Sequence, residues 1–63
     1  MNEKEREQRA DLVWANDVLS GRGLSVDHES VAINMLRMLV EYGATEKIRR
    51  DADAALARAQ AVA

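Results

Sequence analysis

Few side chains in this sequence could perform acid–base or nucleophilic chemistry, and their spacing does not favour it. His28 lies between Asp27 and Glu29, an arrangement typical of a charge-compensated histidine on a protein surface. Asp51 and Asp53 are two positions apart, so on a helix their carboxylates point about 200° from each other. Such a pair is poorly placed to share a metal ion or to act as acid and base. The sequence therefore predicts that the chain is not an enzyme.

Metal and cofactor sites are not expected either. The chain has no cysteine and one histidine, whereas a zinc site needs several such ligands. The segment Ser20-Gly21-Arg22-Gly23 contains two glycines, but it follows a predicted helix, and phosphate-binding glycine motifs require a strand, a turn and then a helix. We therefore expect no cofactor and a function based on binding another macromolecule.

Length and charge restrict the classes of protein that remain. The chain of 63 residues is long enough for a single domain over 1–63, and a domain this small is only marginally stable. Its net charge is -2, whereas a nucleic-acid-binding protein of this size normally carries a basic face. No apolar run approaches the roughly 18 residues of a membrane span, and the polar N-terminus has no signal-peptide pattern. A cytoplasmic protein without a membrane partner is expected.

Glycines separate three stretches of helix-forming residues, and the predicted fold class is all-α, a small three-helix protein. The helices are expected at about 3–19, 26–42 and 45–61. Gly21 or Gly23 can adopt the left-handed conformation that ends the first helix, and Ser25 and Thr45 are predicted to cap the second and third. The parts expected to fray are the two ends of the chain, 1–9 and 60–63.

The predicted second helix is apolar over most of its circumference. One stripe at helical spacing consists of Val31, Met35, Met38, Leu39 and Tyr42. Further apolar residues beside it are Ala32, Ile33, Leu36 and Val40. The flanking helices offer little apolar area, and burial stabilises by roughly 25 cal/mol per Å². Part of this surface, together with Trp14, is therefore predicted to contact another chain. Alternatively, Met35, Met38 and Leu39 form an ordinary core, and Trp14 holds the first helix to the second.

Several short segments along the chain carry a family resemblance. They are Arg9-Ala10, Trp14-Ala15, Arg22-Gly23-Leu24, Glu29 and Ile33-Asn34. Between about Glu5 and Ile48 the chain resembles the short antitoxins of Fic-domain toxins (VbhA-like). Those antitoxins are three-helix proteins of similar length, and they wrap a toxin that attaches AMP to target proteins. The resemblance implies a protein partner and an inhibitory role.

The inhibitory motif of that family is altered in this sequence. The family motif is Ser or Thr, three residues, Glu, and then Gly or Asn, and its glutamate pairs with a toxin arginine that would hold the ATP γ-phosphate. When the motif is aligned on Gly23, Arg22 occupies the glutamate position and Val18 the serine or threonine position. Arg22 and the toxin arginine would repel each other, because both are positively charged. The resemblance therefore implies a protein that docks on its toxin without blocking ATP in the family's manner, or one whose motif has been lost.

Three functions follow as competing expectations. The first is an antitoxin-like inhibitor or regulator that docks on a larger protein, and the second is a self-associating homodimeric module of phage or host-factor-modulating type. The third, which the charge does not favour, is a helix-turn-helix-like nucleic-acid binder that uses Thr45, Lys47, Arg49 and Arg50. The residues predicted to contact a protein partner are Trp14, Val18, Arg22, Gly23, Met35, Met38, Leu39 and Tyr42.

Overall fold

Three α-helices account for most of the chain. The computed structural model describes residues 2–21 and 26–61. The helices are α1 (Glu3–Leu19), α2 (Val26–Tyr42) and α3 (Glu46–Ala61). The all-α prediction is confirmed, and the predicted bounds agree to within one residue.

Local hydrogen bonds and one glycine define the ends of α1. The Asn2 side chain caps its start, because Asn2 Oδ1 accepts a hydrogen bond from the Glu5 amide at 2.8 Å. At the other end Gly21 has a φ of +86°, the left-handed conformation that glycine adopts without steric cost. This confirms the predicted role of Gly21. The other predicted cap residues of this connection, Gly23 and Ser25, lie outside the described residues.

The first turns of α1, for which the sequence predicts fraying, make polar contacts with the rest of the fold. Residues 3–9 belong to the regular helix, and two of their polar side chains hold it to the α2–α3 connection and to α3. Gln8 Oε1 accepts a hydrogen bond from the Ala44 amide at 2.7 Å. Arg9 Nη1 lies 3.0 Å from Asp51 Oδ2 in an ion pair. Polar contacts across the fold thus replace the apolar face that this part of α1 lacks. At the far end of the chain α3 continues to Ala61, and residues 62–63 lie outside the described residues.

The connection between α2 and α3 is tightly packed. The Gly43 amide donates to the Leu39 carbonyl at 2.9 Å, and the Gly43 carbonyl accepts a hydrogen bond from Arg49 Nη1 at 2.8 Å. Thr45 Oγ1 accepts a hydrogen bond from the Ile48 amide at 3.1 Å, which confirms Thr45 as the predicted cap of α3. The corner therefore fixes the angle at which α3 leaves α2.

All three helices contribute to one hydrophobic core. Its buried residues are Leu12, Ala15, Val18, Ala32, Leu36, Leu39, Ile48, Ala52 and Ala55. Leu36 and Ile48 have no exposed surface. Trp14, Leu19, Met35, Val40 and Leu56 are partly buried against this core. The described residues contain no buried side-chain nitrogen or oxygen that lacks a hydrogen-bond partner. Their core is therefore apolar and carries no unpaired polar side-chain atom.

Two residues predicted to contact a partner belong to this core. Val18 is 2% exposed and Leu39 is 5% exposed. The inward direction of α2 runs through Ala32, Leu36 and Leu39, which are spaced i, i+4 and i+7 and therefore share one face. Leu39 stabilises the fold in that row, and Val18 does so from α1. Val18 offers almost no surface to a partner, and Leu39 exposes only a small part of its side chain.

Candidate protein-binding surface

A groove between α1 and α2 exposes apolar surface formed by neighbouring residues. It has a volume of about 460 Å³. Its lining residues all come from these two helices: Gln8, Asp11, Val31, Asn34, Met35, Met38, Leu39 and Tyr42. We refer to this feature as the α1–α2 groove. Apolar grooves with a few polar groups at the edge are the usual form of binding sites.

The apolar side chains of the groove form a row along α2. Val31 is 50% exposed, Met38 is 59% exposed and Tyr42 is 68% exposed, while Met35 is half-buried. Their spacing of i, i+4, i+7 and i+11 places them on one face of the helix. We call these four residues the apolar stripe. It is rotated by roughly a quarter of a turn from the face that carries Leu36, so it lies beside the core and not within it.

The position of α3 explains why the apolar stripe remains uncovered. Polar links join α3 to α1: the Arg9–Asp51 ion pair and a hydrogen bond of 3.4 Å from Arg58 Nη2 to Asn16 Oδ1. The groove contains no α3 residue among its lining. The third helix thus covers one side of the α1–α2 pair, and the groove opens on another.

Unpaired charges lie beside the apolar stripe. Asp11 is exposed on the α1 side. On the opposite side of Met38 and Tyr42, a shallower depression is lined by Arg37 and Glu41. Asp11, Arg37 and Glu41 take part in none of the ion pairs of the described residues. The surroundings of the stripe are therefore charged, and the α1 side is acidic.

Trp14 lies on α1, where it contacts the beginning of α2. It is half-buried against the core, and its ring lies 6.5 Å from the ring of His28, centroid to centroid, with a tilt of 52°. This placement matches the alternative in which Trp14 holds the first helix to the second, and part of its surface stays accessible. Arg22 and Gly23, which the sequence analysis also assigned to the partner contact, lie outside the described residues.

The basic side chains of α3 are engaged within the molecule. Lys47 and Arg50 form ion pairs with Asp51 at 3.3 Å and Glu46 at 2.7 Å. Arg49 donates to the Gly43 carbonyl. A helix that reads DNA needs free cationic groups along one face to contact phosphates. Because Lys47 and Arg50 are 72% and 76% exposed, these surface ion pairs do not decide the nucleic-acid hypothesis, which relied on Lys47, Arg49 and Arg50 and stays a prediction.

Asp51 connects α1 to α3 and provides a test of that link by pH. The hydrogen bond from Arg9 lowers its carboxyl pKa, partial burial opposes this, and Lys47 adds to the lowering. A carboxyl whose pKa is lower in the folded protein stabilises the fold at pH values above its unfolded pKa of about 3.9. That stabilisation disappears as the pH falls through the lowered pKa.

We expect Asp51→Asn to reduce the free energy of unfolding at neutral pH and to lose this disadvantage in acid. The measurement is the urea midpoint of both proteins from neutral pH to about pH 2.5. Asp53→Asn is the matched control, since Asp53 is exposed on the same helix and forms no ion pair within the described residues. A difference between wild type and Asp51→Asn that stayed constant with pH would contradict the assigned role of the ion pair.

The carboxylates do not assemble into a metal centre in the described parts of the chain. Over residues 2–21 and 26–61 no group of three or more His, Cys, Asp or Glu side chains is arranged to hold a metal ion. Asp51 faces α1, and Asp53 is exposed to solvent. None of the three helices, as far as they are described, combines the length and the apolarity that crossing a lipid bilayer requires.

Comparison with protein-family models, with curated proteins and with solved structures finds no match to this chain. The resemblance to Fic-domain antitoxins is therefore neither supported nor opposed by relatives. Four of the residues predicted from the sequence to contact a partner line the groove: Met35, Met38, Leu39 and Tyr42. Sequence reasoning missed Gln8, Asp11 and Asn34, because polar residues on exposed helix faces carry no signal of their own in a single sequence.

Proposed function

We propose that this chain is a protein-binding module that docks on a larger partner through the α1–α2 groove and regulates it as an antitoxin-like inhibitor. The observation that carries the proposal is the row of exposed apolar side chains, Val31, Met38 and Tyr42. A chain with so few large apolar residues stabilises its fold by burying them. Leaving three of them in water beside an open groove is costly unless another surface covers them.

The residue types of the stripe also support a protein partner. Methionine and tyrosine are enriched at the centres of protein interfaces, whereas lysine and glutamate are depleted there. Met35 and Met38 are flexible and polarizable, so they adapt to the shape of a bound surface. Tyr42 adds a ring with a polar tip, a common feature of residues that dominate binding energy.

The antitoxin part of the proposal rests on the resemblance and on the three-helix fold. Val18, at the serine or threonine position of the inhibitory motif, is buried in the core. A side chain in that position cannot reach into a toxin's nucleotide site while the chain is folded. Inhibition by this chain would therefore come from docking that obstructs or holds the partner, and it would not require an intact motif.

The experiment that tests the proposal compares two surface variants in the native host. Tagged wild type, Met38→Glu and Val13→Glu are used to isolate bound proteins, and each variant is first shown to be folded by circular dichroism. Val13 is a matched control because it is also an exposed apolar residue, at 60% exposure, and does not line the groove. We expect one protein to be recovered in a fixed ratio with wild type and Val13→Glu and to be lost with Met38→Glu. Recovery that is the same with all three proteins would refute the groove as the docking site.

A recovered Fic-domain protein would allow a direct test of inhibition. Transfer of AMP to a target protein by that enzyme is measured with and without the purified chain. We expect wild type and Val13→Glu to reduce the rate and Met38→Glu to leave it unchanged. An unchanged rate with wild type would contradict the inhibitory role and leave docking as the remaining function.

Self-association is the second candidate, since the apolar stripe could also be covered by another copy. The molar mass in solution, measured by light scattering at micromolar concentration, separates the two. A dimer that Met38→Glu converts to a monomer would favour the second candidate. A monomer in both cases favours docking on a different protein.

A further inference from the structure

We propose that the α1–α2 groove accepts a single amphipathic helix of the partner, with its apolar side against the stripe and lysine or arginine residues on the flank that faces Asp11. This inference rests on the proposed function and specifies the chemistry of the partner. Its basis is the joint placement of an apolar stripe and an unpaired carboxylate in one groove.

The shape of the groove matches a helix. Gln8, near the start of α1, is hydrogen-bonded to Ala44, just beyond the end of α2. Trp14, nearer the end of α1, lies beside His28 at the start of α2. The two helices therefore run antiparallel. The stripe from Val31 to Tyr42 covers eleven helical steps, about 16 Å. A rod lying along two antiparallel helices opposite a third completes a four-helix arrangement. The occupant would contact the stripe through apolar residues at i, i+3 or i+4, and i+7, the usual pattern of a helix bound in a groove.

The charges beside the stripe specify the flanks of that helix. Asp11 is exposed and without an ion pair on the α1 side. Arg37 and Glu41 lie on the other side of the stripe and have opposite charges. The Arg37–Glu41 side therefore favours neither a positive nor a negative flank on the bound helix. A cationic flank next to Asp11 is attracted, and an anionic one is repelled. The chain as a whole has a net charge of -2, which adds to the attraction of a basic partner and to the repulsion of a second copy.

The test uses designed helical peptides of about 18 residues with identical leucine stripes. One carries lysine on both flanks, one carries glutamate on both flanks, and a third has the lysine composition in a scrambled, non-amphipathic order. Binding to the purified chain is measured by fluorescence anisotropy. We expect the lysine-flanked peptide to bind about fivefold more tightly than the glutamate-flanked one and the scrambled peptide to bind least.

Two substitutions assign the binding to the groove. Met38→Glu is expected to weaken the lysine-flanked peptide by about tenfold, while Val13→Glu leaves it unchanged. Asp11→Lys is expected to reverse the order of the lysine- and glutamate-flanked peptides. Asp17→Lys makes the same change of charge at an exposed position of α1 outside the groove, and we expect it to preserve the order.

Several outcomes would overturn the inference. Equal binding of the lysine- and glutamate-flanked peptides, or binding that does not respond to Asp11→Lys, would contradict the predicted basic flank of the partner helix. A dimer of the chain that Met38→Glu disrupts would identify a second copy as the occupant of the groove. If no peptide binds but a host protein is captured in a Met38-dependent way, the inference is overturned and the proposed function stands. If Met38→Glu captures the same host protein as wild type, the proposed function itself fails.

Discussion

Replacing Leu36 with alanine is expected to unfold most of the protein. Leu36 has no exposed surface and lies at the centre of the core. Truncating a buried leucine to alanine costs about 2–5 kcal/mol, because transfer energy is lost and a cavity remains. A domain of this length rarely obtains more than about 3–5 kcal/mol from its core. Far-UV circular dichroism during a urea titration should show little or no cooperative transition.

Two further substitutions on α2 show whether the effect comes from burial. Met38→Ala removes a side chain of similar size from the same helix, but Met38 is 59% exposed. We expect its free energy of unfolding to change by less than about 0.5 kcal/mol. Leu36→Met keeps most of the volume and is expected to cost less than about 1.5 kcal/mol. Equal losses in Leu36→Ala and Met38→Ala would mean that Met38 is as buried as Leu36, which would contradict the orientation of α2 described here.

Replacing Gly43 with alanine is expected to cost about 3 kcal/mol, the upper part of the range for overpacked sites. An added Cβ would lie 2.6 Å from the Leu39 carbonyl oxygen and 2.8 Å from Arg49 Cγ. The Leu39 oxygen belongs to the helix backbone and accepts the Gly43 amide, so it cannot move without loss of that hydrogen bond. The urea midpoint measures the loss. If the variant is largely unfolded in buffer, the titration is repeated with a stabilising osmolyte.

Gly21 provides a matched contrast, because its constraint has a different origin. A Cβ added at Gly21 meets nothing within 4 Å, but φ is +86°. Gly21→Ala is expected to cost about 1 kcal/mol, and Gly21→Asn less, since asparagine tolerates the left-handed region. At Gly43 the order is reversed, because asparagine is larger than alanine and space is the limiting factor. A smaller loss for Gly43→Ala than for Gly21→Ala would contradict this account of the corner.

The bounds of the helices and several of their caps could be predicted from the sequence, because local residues determine them. Thr45 precedes a helix and caps it through its own side chain, and Gly21 supplies a backbone conformation that other residues resist. Such signals extend over three or four positions. They require no knowledge of where the rest of the chain lies.

The rotation of α2 could not be predicted in the same way. Apolar residues occur on two neighbouring faces of this helix, one through Leu36 and one through Met38, and the local pattern suits either as the buried face. The choice depends on where α1 and α3 pack. Leu39 belongs to the core at 5% exposure and also lines the groove, so the local pattern alone does not decide its role. The prediction that apolar surface exceeds the available cover agrees with the exposure of Met38 and Tyr42.

The polar links between distant parts of the chain could not be predicted from one sequence either. Arg9 and Asp51 are 42 residues apart, and Gln8 and Ala44 are 36 apart. Nothing in the spacing of such residues indicates that they meet. The same is true of Asp11, whose place at the groove depends on the antiparallel pairing of α1 and α2.

The alanine content of the core has a consequence for the lifetime of the protein. Four of the nine buried core residues of the described chain are alanines: Ala15, Ala32, Ala52 and Ala55. A small domain with so little apolar volume unfolds with a small enthalpy and heat capacity, so its melting transition extends over a wide temperature range. Opened molecules are then continually present as substrates for proteases. Under the proposed function, a bound partner lowers their number by mass action, and the cellular abundance of this chain would then follow the supply of that partner.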